Sequence, residues 1–142
     1  MSAFERFMKK NQTVKENTFY PATKSLTDED GKPLQWEIRA LTAREADAIR
    51  EKCMVDIPVP GKPGQYKQKM SNRYLPSLVC ASVVCPDLHN AELQDSYGVH
   101  SPEDLLLEMV KSPGEYYDFI QFVQTYSGFD ANINEEIEEA KN

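Results

Sequence analysis

The sequence contains no long hydrophobic run. Its most apolar stretch, Leu78 to Cys85, is short and includes Ser82. A transmembrane helix needs about 18 or more mostly apolar residues, so we expect no membrane span and no membrane partner. Basic residues occur among the first ten positions, but no apolar segment follows them, and a signal peptide is therefore not expected. These absences favour a cytoplasmic protein.

Positive charge is also scarce. The 142 residues include 16 Lys and Arg against 23 Asp and Glu, which gives a formal net charge of -7. Binding to nucleic acid requires a concentrated basic face, so we expect no nucleic acid partner. The three cysteines are odd in number and accompany no secretory feature, so we interpret them as reduced thiols rather than a disulfide framework.

Motifs that carry chemistry are missing as well. There is no G-x-S-x-G sequence and no phosphate-binding glycine loop. Cys80, Cys85 and His89 lie close together and could suggest zinc with His100, but their spacing is not that of the usual ligand pairs. Residues 28–31 resemble only a fragment of a calcium loop. We therefore expect no catalytic residue, no metal and no cofactor, with a small metal-binding or thiol enzyme as an alternative.

The N-terminal part of the chain predicts a short helix and then a hairpin. Phe4, Phe7 and Met8 have the spacing of one helical face. Residues 34–41 alternate between apolar and polar side chains, as a half-buried strand does. A turn containing Gly31 separates them from an earlier group of β-forming residues, so a β-hairpin is predicted over about 18–41.

Helix signals dominate the rest. Thr42 and Glu45 have the spacing of a capping box, which predicts a helix to about Cys53. Residues 56–65 contain three prolines and two glycines, and we interpret them as the longest loop. An apolar run from about 71 to 85 predicts a core helix. Shorter helices are predicted over 90–97, from Ser101-Pro102 and from Ser112-Pro113 to Gly128.

The predicted fold is mostly α (α+β), with one N-terminal β-hairpin followed by a compact bundle of about five helices. Residues 1–131 are expected to form a single domain, with a Pro/Gly loop at 56–65 and a helical part at 71–128. Residues 132–142 contain four glutamates and are expected to be an acidic, mobile tail. Whether 56–70 is ordered without a partner stays open.

Three tyrosines are candidate contacts for a partner protein. Tyr66 lies beside the Pro/Gly loop, and Tyr117 points away from the apolar face of the last predicted helix. Tyr126 lies near the end of that helix. Exposed aromatic side chains are frequent at protein interfaces, so these three residues are the predicted partner-binding site.

One extended pattern has a family resemblance. Residues 81–88 read Ala-Ser-Val-Val-Cys-Pro-Asp-Leu, and residues 91–99 read Ala-Glu-Leu-Gln-Asp-Ser-Tyr-Gly-Val. Weaker agreement is found at 41–46, at 105–116 and at the Gly128-Phe129 close. Together these pieces resemble the XkdN-like tail assembly chaperones of bacteriophages and defective prophages, over roughly residues 4–129. Ser127 is a departure, because Asn is common there in the family.

The resemblance implies a non-catalytic role in building a phage tail. Such chaperones hold the long, helical tape-measure protein soluble, assist the tail tube subunits that polymerise around it, and are absent from the finished particle. The implied partners are thus the tape-measure protein and the tail tube protein, in the cytoplasm of the bacterial host. A structural tail or baseplate component retained in the virion is the alternative. Oligomeric state, stoichiometry and a longer frameshifted product stay open.

Overall fold

The structure, a computed structural model, describes residues 2–129. Within that range the chain forms six α-helices, five strands and one short 3-10 helix at Lys9–Asn11. The helices are α1 Ala3–Arg6, α2 Ala43–Cys53, α3 Tyr74–Ser82, α4 Ala91–Ser96, α5 Pro102–Met109 and α6 Pro113–Tyr126. The strands are β1 Thr18–Tyr20, β2 Trp36–Ile38, β3 Met54–Pro58, β4 Tyr66–Met70 and β5 Val83–Cys85.

The strands form two separate sheets. The first has the order β1-β2-β5, and both pairings are antiparallel. Strands β1 and β2 pair inside the region 18–41 for which the sequence predicts a hairpin, with Phe19 opposite Glu37. The second sheet is the antiparallel pair β3 and β4. Alternation places Trp36 and Ile38 on the buried face of β2, while Glu37 lies on the other face.

The core lies between the first sheet and helices α3, α5 and α6. Helix α3 packs against α2, α5 and α6, and it buries Leu78 and Val79. Trp36 from β2 meets Phe119 from α6 edge to face, with ring centroids 5.4 Å apart. Both side chains are almost fully buried, at 1% and 0% exposure. The core therefore joins residues that are distant in sequence, and most of the chain depends on it.

The predicted fold class was wrong. A bundle of about five helices after one hairpin does not describe residues 2–129, because a second hairpin and a fifth strand interrupt the helical part. The protein has an α+β fold. The predicted tail, 132–142, lies outside the described residues.

Residues 56–65 do not form the single irregular loop that the sequence predicted. They form the end of β3 and the turns before β4. Two Pro-Gly pairs explain the difference: the N–H of Lys62 donates to Val59 O at 3.2 Å, and the N–H of Gln65 donates to Lys62 O at 3.1 Å. Gly61 and Gly64 have φ of 75° and 81°, as the third residue of a type II turn requires. Two consecutive turns thus reverse the chain into a hairpin.

Residues 71–85 do not form the single helix that the sequence predicted. Helix α3 ends at Ser82, and residues 83–85 become β5 beside β2. The buried Ser82 hydroxyl donates to the carbonyl of Arg39, and the Arg39 N–H donates to Ser82 O at 2.9 Å. These bonds stabilise the extended conformation that follows. Periodicity could not reveal this, because a short apolar run fits a buried helix and a buried strand equally well.

Candidate partner-binding surface

Two elements of the chain expose several large apolar side chains. We call residues 2–15 the N-terminal arm and residues 54–70, which comprise β3, β4 and their turns, the ribbon. In the described chain, several of the large apolar residues with substantial exposure belong to these two elements: Phe4, Phe7, Met8, Val14, Val55 and Tyr66. Exposed apolar surface of this kind marks contact sites for other proteins.

The N-terminal arm presents two phenylalanines to solvent. Phe4 is 76% exposed and Phe7 is 89% exposed, and helix α1 contains no buried residue. Helix α1 is a single turn: the Ser2 hydroxyl accepts a hydrogen bond from the N–H of Glu5 at its start, and the helix ends at Arg6. Fully burying one phenylalanine side chain is favourable by roughly 1.5–3 kcal/mol. Burial of Phe4 and Phe7 against a partner would therefore stabilise a complex, although it does not stabilise the isolated fold.

The arm is fastened to the body at Tyr126. The ammonium of Lys15 donates to the backbone carbonyl of Tyr126 at 2.6 Å and lies 4.1 Å from the centre of its ring. The Tyr126 hydroxyl donates to the carbonyl of Glu16. A cation at the C-terminal end of α6 also complements the helix dipole. The arm therefore leaves the body from a fixed point.

The ribbon has two distinct faces. Cross-strand pairing places Val55 opposite Lys69 and Ile57 opposite Lys67 on one face. The other face holds Pro58 opposite Tyr66, at the end nearest the turns. No residue of the ribbon is buried. Proline is tolerated at position 58 because Val59 donates to Gln65, and alternation then directs the nitrogen of Pro58 away from β4.

The three tyrosines predicted as contacts do not form one surface. Tyr66, on the ribbon, is 66% exposed. Tyr117, on α6, is 57% exposed, and its ring centroid lies 5.7 Å from that of Tyr116. Tyr126 lies nine residues after Tyr117, which is two and a half turns or about 13 Å along the helix and places it on the opposite side. Tyr126 is half-buried and binds the arm. Partner binding by these residues stays a prediction.

Sequence reasoning missed the exposed arm and the apolar face of the ribbon. The spacing of Phe4, Phe7 and Met8 was visible, but spacing alone does not tell whether another element covers a helical face. The Pro-Gly pairs at 60–61 and 63–64 were the available signal for the ribbon, since Pro-Gly is the typical central pair of a type II turn.

The Cys80 thiol lies in an environment unsuited to nucleophilic chemistry. A pocket of about 200 Å³ lies between α2, α3 and the start of α5, and its lining includes Cys53, Ser77, Cys80, His89 and Glu103. Burial, with a smaller contribution from nearby Glu103, raises the pKa of the Cys80 thiol to about 12. That thiol stays protonated at neutral pH, whereas a nucleophilic cysteine must be a thiolate.

The zinc alternative finds no support in the described residues. Cys80 is buried and Cys85 is exposed, so these two candidate ligands do not share an environment. Across residues 2–129, no group of three or more His, Cys, Asp and Glu side chains is arranged to hold a metal ion. Over the same range, no helix has the length and apolar character that crossing a bilayer would require.

Relatives of this chain are found in Bacillus subtilis strain 168. The sequence is 24% identical to the uncharacterized protein YqbN over 137 residues, which cover 96% of this chain and 91% of YqbN. It is 23% identical to the phage-like element PBSX protein XkdN over 136 residues, with the same coverage of each chain.

A solved structure has a similar fold. The crystal structure of YqbN superposes with a TM-score of 0.71 at 18% sequence identity, and the match covers 92% of this chain and 99% of that one. At this identity the likeness shows the fold alone. A family profile described as phage XkdN-like tail assembly chaperone protein matches residues 4–141. Because this match spans nearly the whole sequence, the chain belongs to the XkdN-like phage tail assembly chaperone family.

Proposed function

We propose that this protein is a non-catalytic tail assembly chaperone that binds the tape-measure protein and assists assembly of the tail tube. It acts in the cytoplasm of the bacterial host and is absent from the finished particle. Its partners are the tape-measure protein and, through it, the tube subunits. Family membership supports the general role, and the surface described above supports the mode of action.

The observation that carries the proposal is the exposed apolar surface of the N-terminal arm. A helical tape-measure protein exposes long apolar faces until the tube encloses it, as the family resemblance implies. Phe4 and Phe7 are free of the core and can bury against such a face. The net charge of -7 keeps a complex with an apolar protein in solution.

Two exposed tyrosines outside the arm are further proposed contacts. Tyr66 and Tyr117 each present a large ring with a polar tip, a combination that is enriched at interfaces. Tyr126 contributes indirectly, because it holds the arm at Lys15 and Glu16. Release from a finished tail requires reversible binding, and a few separated contacts suit a modest interface better than an obligate one.

Co-expression with the tape-measure protein of the same phage tests the proposal. We expect the tape-measure protein to be soluble only with this chain and to co-elute with it. The double variant Phe4→Ser/Phe7→Ser should reduce co-elution at least about tenfold, since burial of two phenylalanines is lost. A tape-measure protein that is equally soluble alone, with nothing co-eluting, would remove the proposal.

The matched control is Phe19→Ser/Leu107→Ser, which removes two exposed apolar side chains outside the arm and the ribbon. It should change co-elution less than about twofold. Mass spectrometry of purified particles then tests the predicted absence from the virion. Detection of this chain at a fixed copy number per particle would instead support a structural tail component.

A further inference from the structure

Charge is distributed unevenly over the described residues. The arm contains Arg6, Lys9, Lys10 and Lys15 against Glu5, a net charge of +3. The ribbon contains Lys62, Lys67 and Lys69 against Asp56, a net charge of +2. Residues 2–129 as a whole have 15 basic and 18 acidic side chains, or -3, so the remaining body carries -8. The two elements that expose apolar side chains are thus basic elements on an acidic body.

On the ribbon, the positive charge and the apolar surface share one face. Val55 and Ile57 on β3 lie directly opposite Lys69 and Lys67 on β4. Side chains opposite each other in an antiparallel pair have Cβ atoms about 4.5–5.5 Å apart. The face is therefore an apolar row bordered by a row of ammonium groups. The ion pairs of residues 2–129, Arg39–Glu45 and Lys111–Glu108, do not involve either lysine.

On the arm, exposed apolar and basic side chains are neighbours in sequence. Lys9 and Lys10 follow directly after Phe7 and Met8, and all of these side chains are exposed. Helix α1 ends at Arg6 and Met8 is extended, so these apolar side chains would form one stripe only if the helix continued to Met8. The arm and the ribbon, which are unrelated in sequence and secondary structure, both expose apolar and basic side chains.

The two elements leave the body near opposite ends of α2. The ribbon continues directly from Cys53, where α2 ends. The arm is fastened at the end of α6, and Ser127 there accepts a hydrogen bond from the N–H of Leu41, next to the start of α2, at 2.9 Å. Helix α2 has 11 residues, a length of about 16 Å. A helical segment of about three turns would span the distance between the attachment points.

We propose that the arm and the ribbon together bind one amphipathic helix whose apolar stripe is flanked by acidic residues. The apolar side chains of both elements bury the stripe, and the lysines pair with the acidic flanks. The negative body repels acidic segments that approach elsewhere, which confines binding to this site. The inference rests on the proposed function only for the identity of the partner, namely an acidic segment of the tape-measure protein.

The test uses the full chain and two synthetic helical peptides of about 20 residues, about 30 Å long. One peptide has a leucine stripe flanked by glutamates, and in the other every glutamate is lysine. Titration calorimetry at low salt should show that the acidic peptide binds the wild type at least about tenfold more tightly than the basic one. The affinity should fall as salt screens the pairs.

Charge reversal on each element tests the assignment. Lys67→Glu/Lys69→Glu and Lys9→Glu/Lys10→Glu should each weaken the acidic peptide about tenfold or more. The ribbon variant should also gain affinity for the basic peptide, which an unfolded ribbon could not do. Lys24→Glu/Lys32→Glu is the matched control, because each double variant lowers the net charge from -7 to -11. The control should stay within about twofold of the wild type.

Several results would overturn the inference. These are no binding of the acidic peptide to the wild type, unchanged affinity in both reversal variants, or equal binding of an acidic peptide without leucines. Self-association that the ribbon reversal abolishes, without peptide binding, would assign the ribbon to a second copy. A failed tape-measure co-elution would remove the proposed function alone, because the peptide titrations do not use that protein.

Discussion

Among single residues, Arg39 and Glu45 form the best-defined polar contact. The Arg39 guanidinium donates to the Glu45 carboxylate through its two terminal nitrogens: Nη1 to Oε1 at 2.9 Å, and Nη2 to Oε2. The same carboxylate accepts a hydrogen bond from the N–H of Thr42 and completes the capping box that the sequence predicted. The hydrogen bond from Arg39 is the largest cause of the lowered pKa of Glu45, which falls from 4.5 to about 2. Burial opposes this shift, while the hydrogen bonds from Thr42 and the charge of Arg39 add to it.

This shift makes a pH-dependent contribution to stability. The folded-state pKa of Glu45 is below its unfolded value, so the stabilisation is complete well above pH 4.5 and is lost as pH falls towards 2. Both side chains are about a third exposed, and solvent screening keeps the contribution small. Glu45→Gln should therefore lower the free energy of unfolding by about 0.5–1 kcal/mol at pH 7, while glutamine can still complete the capping box.

The measurement is urea unfolding of the wild type and Glu45→Gln at pH 7 and at pH 3. The difference between the two proteins should shrink at pH 3. A difference that stays constant or grows would contradict the pairing. Trp36 is the single tryptophan and is buried, so its fluorescence reports unfolding in both proteins.

At the scale of secondary structure elements, the ribbon depends on its two tight turns. Gly61 and Gly64 both adopt positive φ, and an added Cβ at either would have open space. Any penalty for alanine there is therefore conformational rather than steric crowding by neighbours. A non-glycine residue in the left-handed region costs about 1–2 kcal/mol.

Gly64→Ala should loosen the ribbon without unfolding the body. Hydrogen exchange of the ribbon amides should accelerate roughly 5–30-fold, as expected for 1–2 kcal/mol. Gly114→Ala is the matched control: this glycine lies in the first turn of α6, its φ is not positive, and a Cβ would again have open space. It should leave ribbon exchange unchanged. Equal protection of the ribbon in both variants would contradict the turn assignment.

At the scale of the whole molecule, the aromatic contact between the first sheet and α6 holds distant segments together. The Phe119 ring contacts Trp36 and also stacks with Tyr20 of β1, with the centroids of the Phe119 and Tyr20 rings 5.5 Å apart. Three segments separated by many residues thus meet at one side chain. By contrast, Phe7 is as large but contributes nothing to this core.

Phe119→Ala should destabilise the entire fold by about 3–5 kcal/mol, from lost burial and the remaining cavity. Because small domains have only about 5–15 kcal/mol of stability in total, this loss is a large fraction. Phe7→Ala deletes the same aromatic ring, but from an exposed position. It should change the free energy of unfolding by less than about 0.5 kcal/mol. Urea unfolding followed by Trp36 fluorescence measures both. Similar losses in the two variants would show that the arm packs on the core.

Much of the local structure could be predicted from the sequence. The capping box at Thr42 and Glu45 starts α2, and Ser101 caps α5, with its hydroxyl accepting the N–H of Asp104 at 3.1 Å. Ser112 only partly follows, because Pro113 begins α6 but the serine side chain makes no capping hydrogen bond. The family could also be named from the sequence, because its pattern extends over most of the chain.

The sequence by itself therefore determined where most helices begin, which residues are apolar enough for the core, and the family. Helix caps and turns depend on hydrogen bonds between residues a few positions apart, so residues close in sequence are enough to specify them. Tertiary structure decided that 83–85 becomes a strand, because β2 supplies its partner. It also decided that Tyr126 holds the arm while Phe4 and Phe7 stay exposed. Exposure and strand pairing depend on which distant segment lies alongside, and that information is not local.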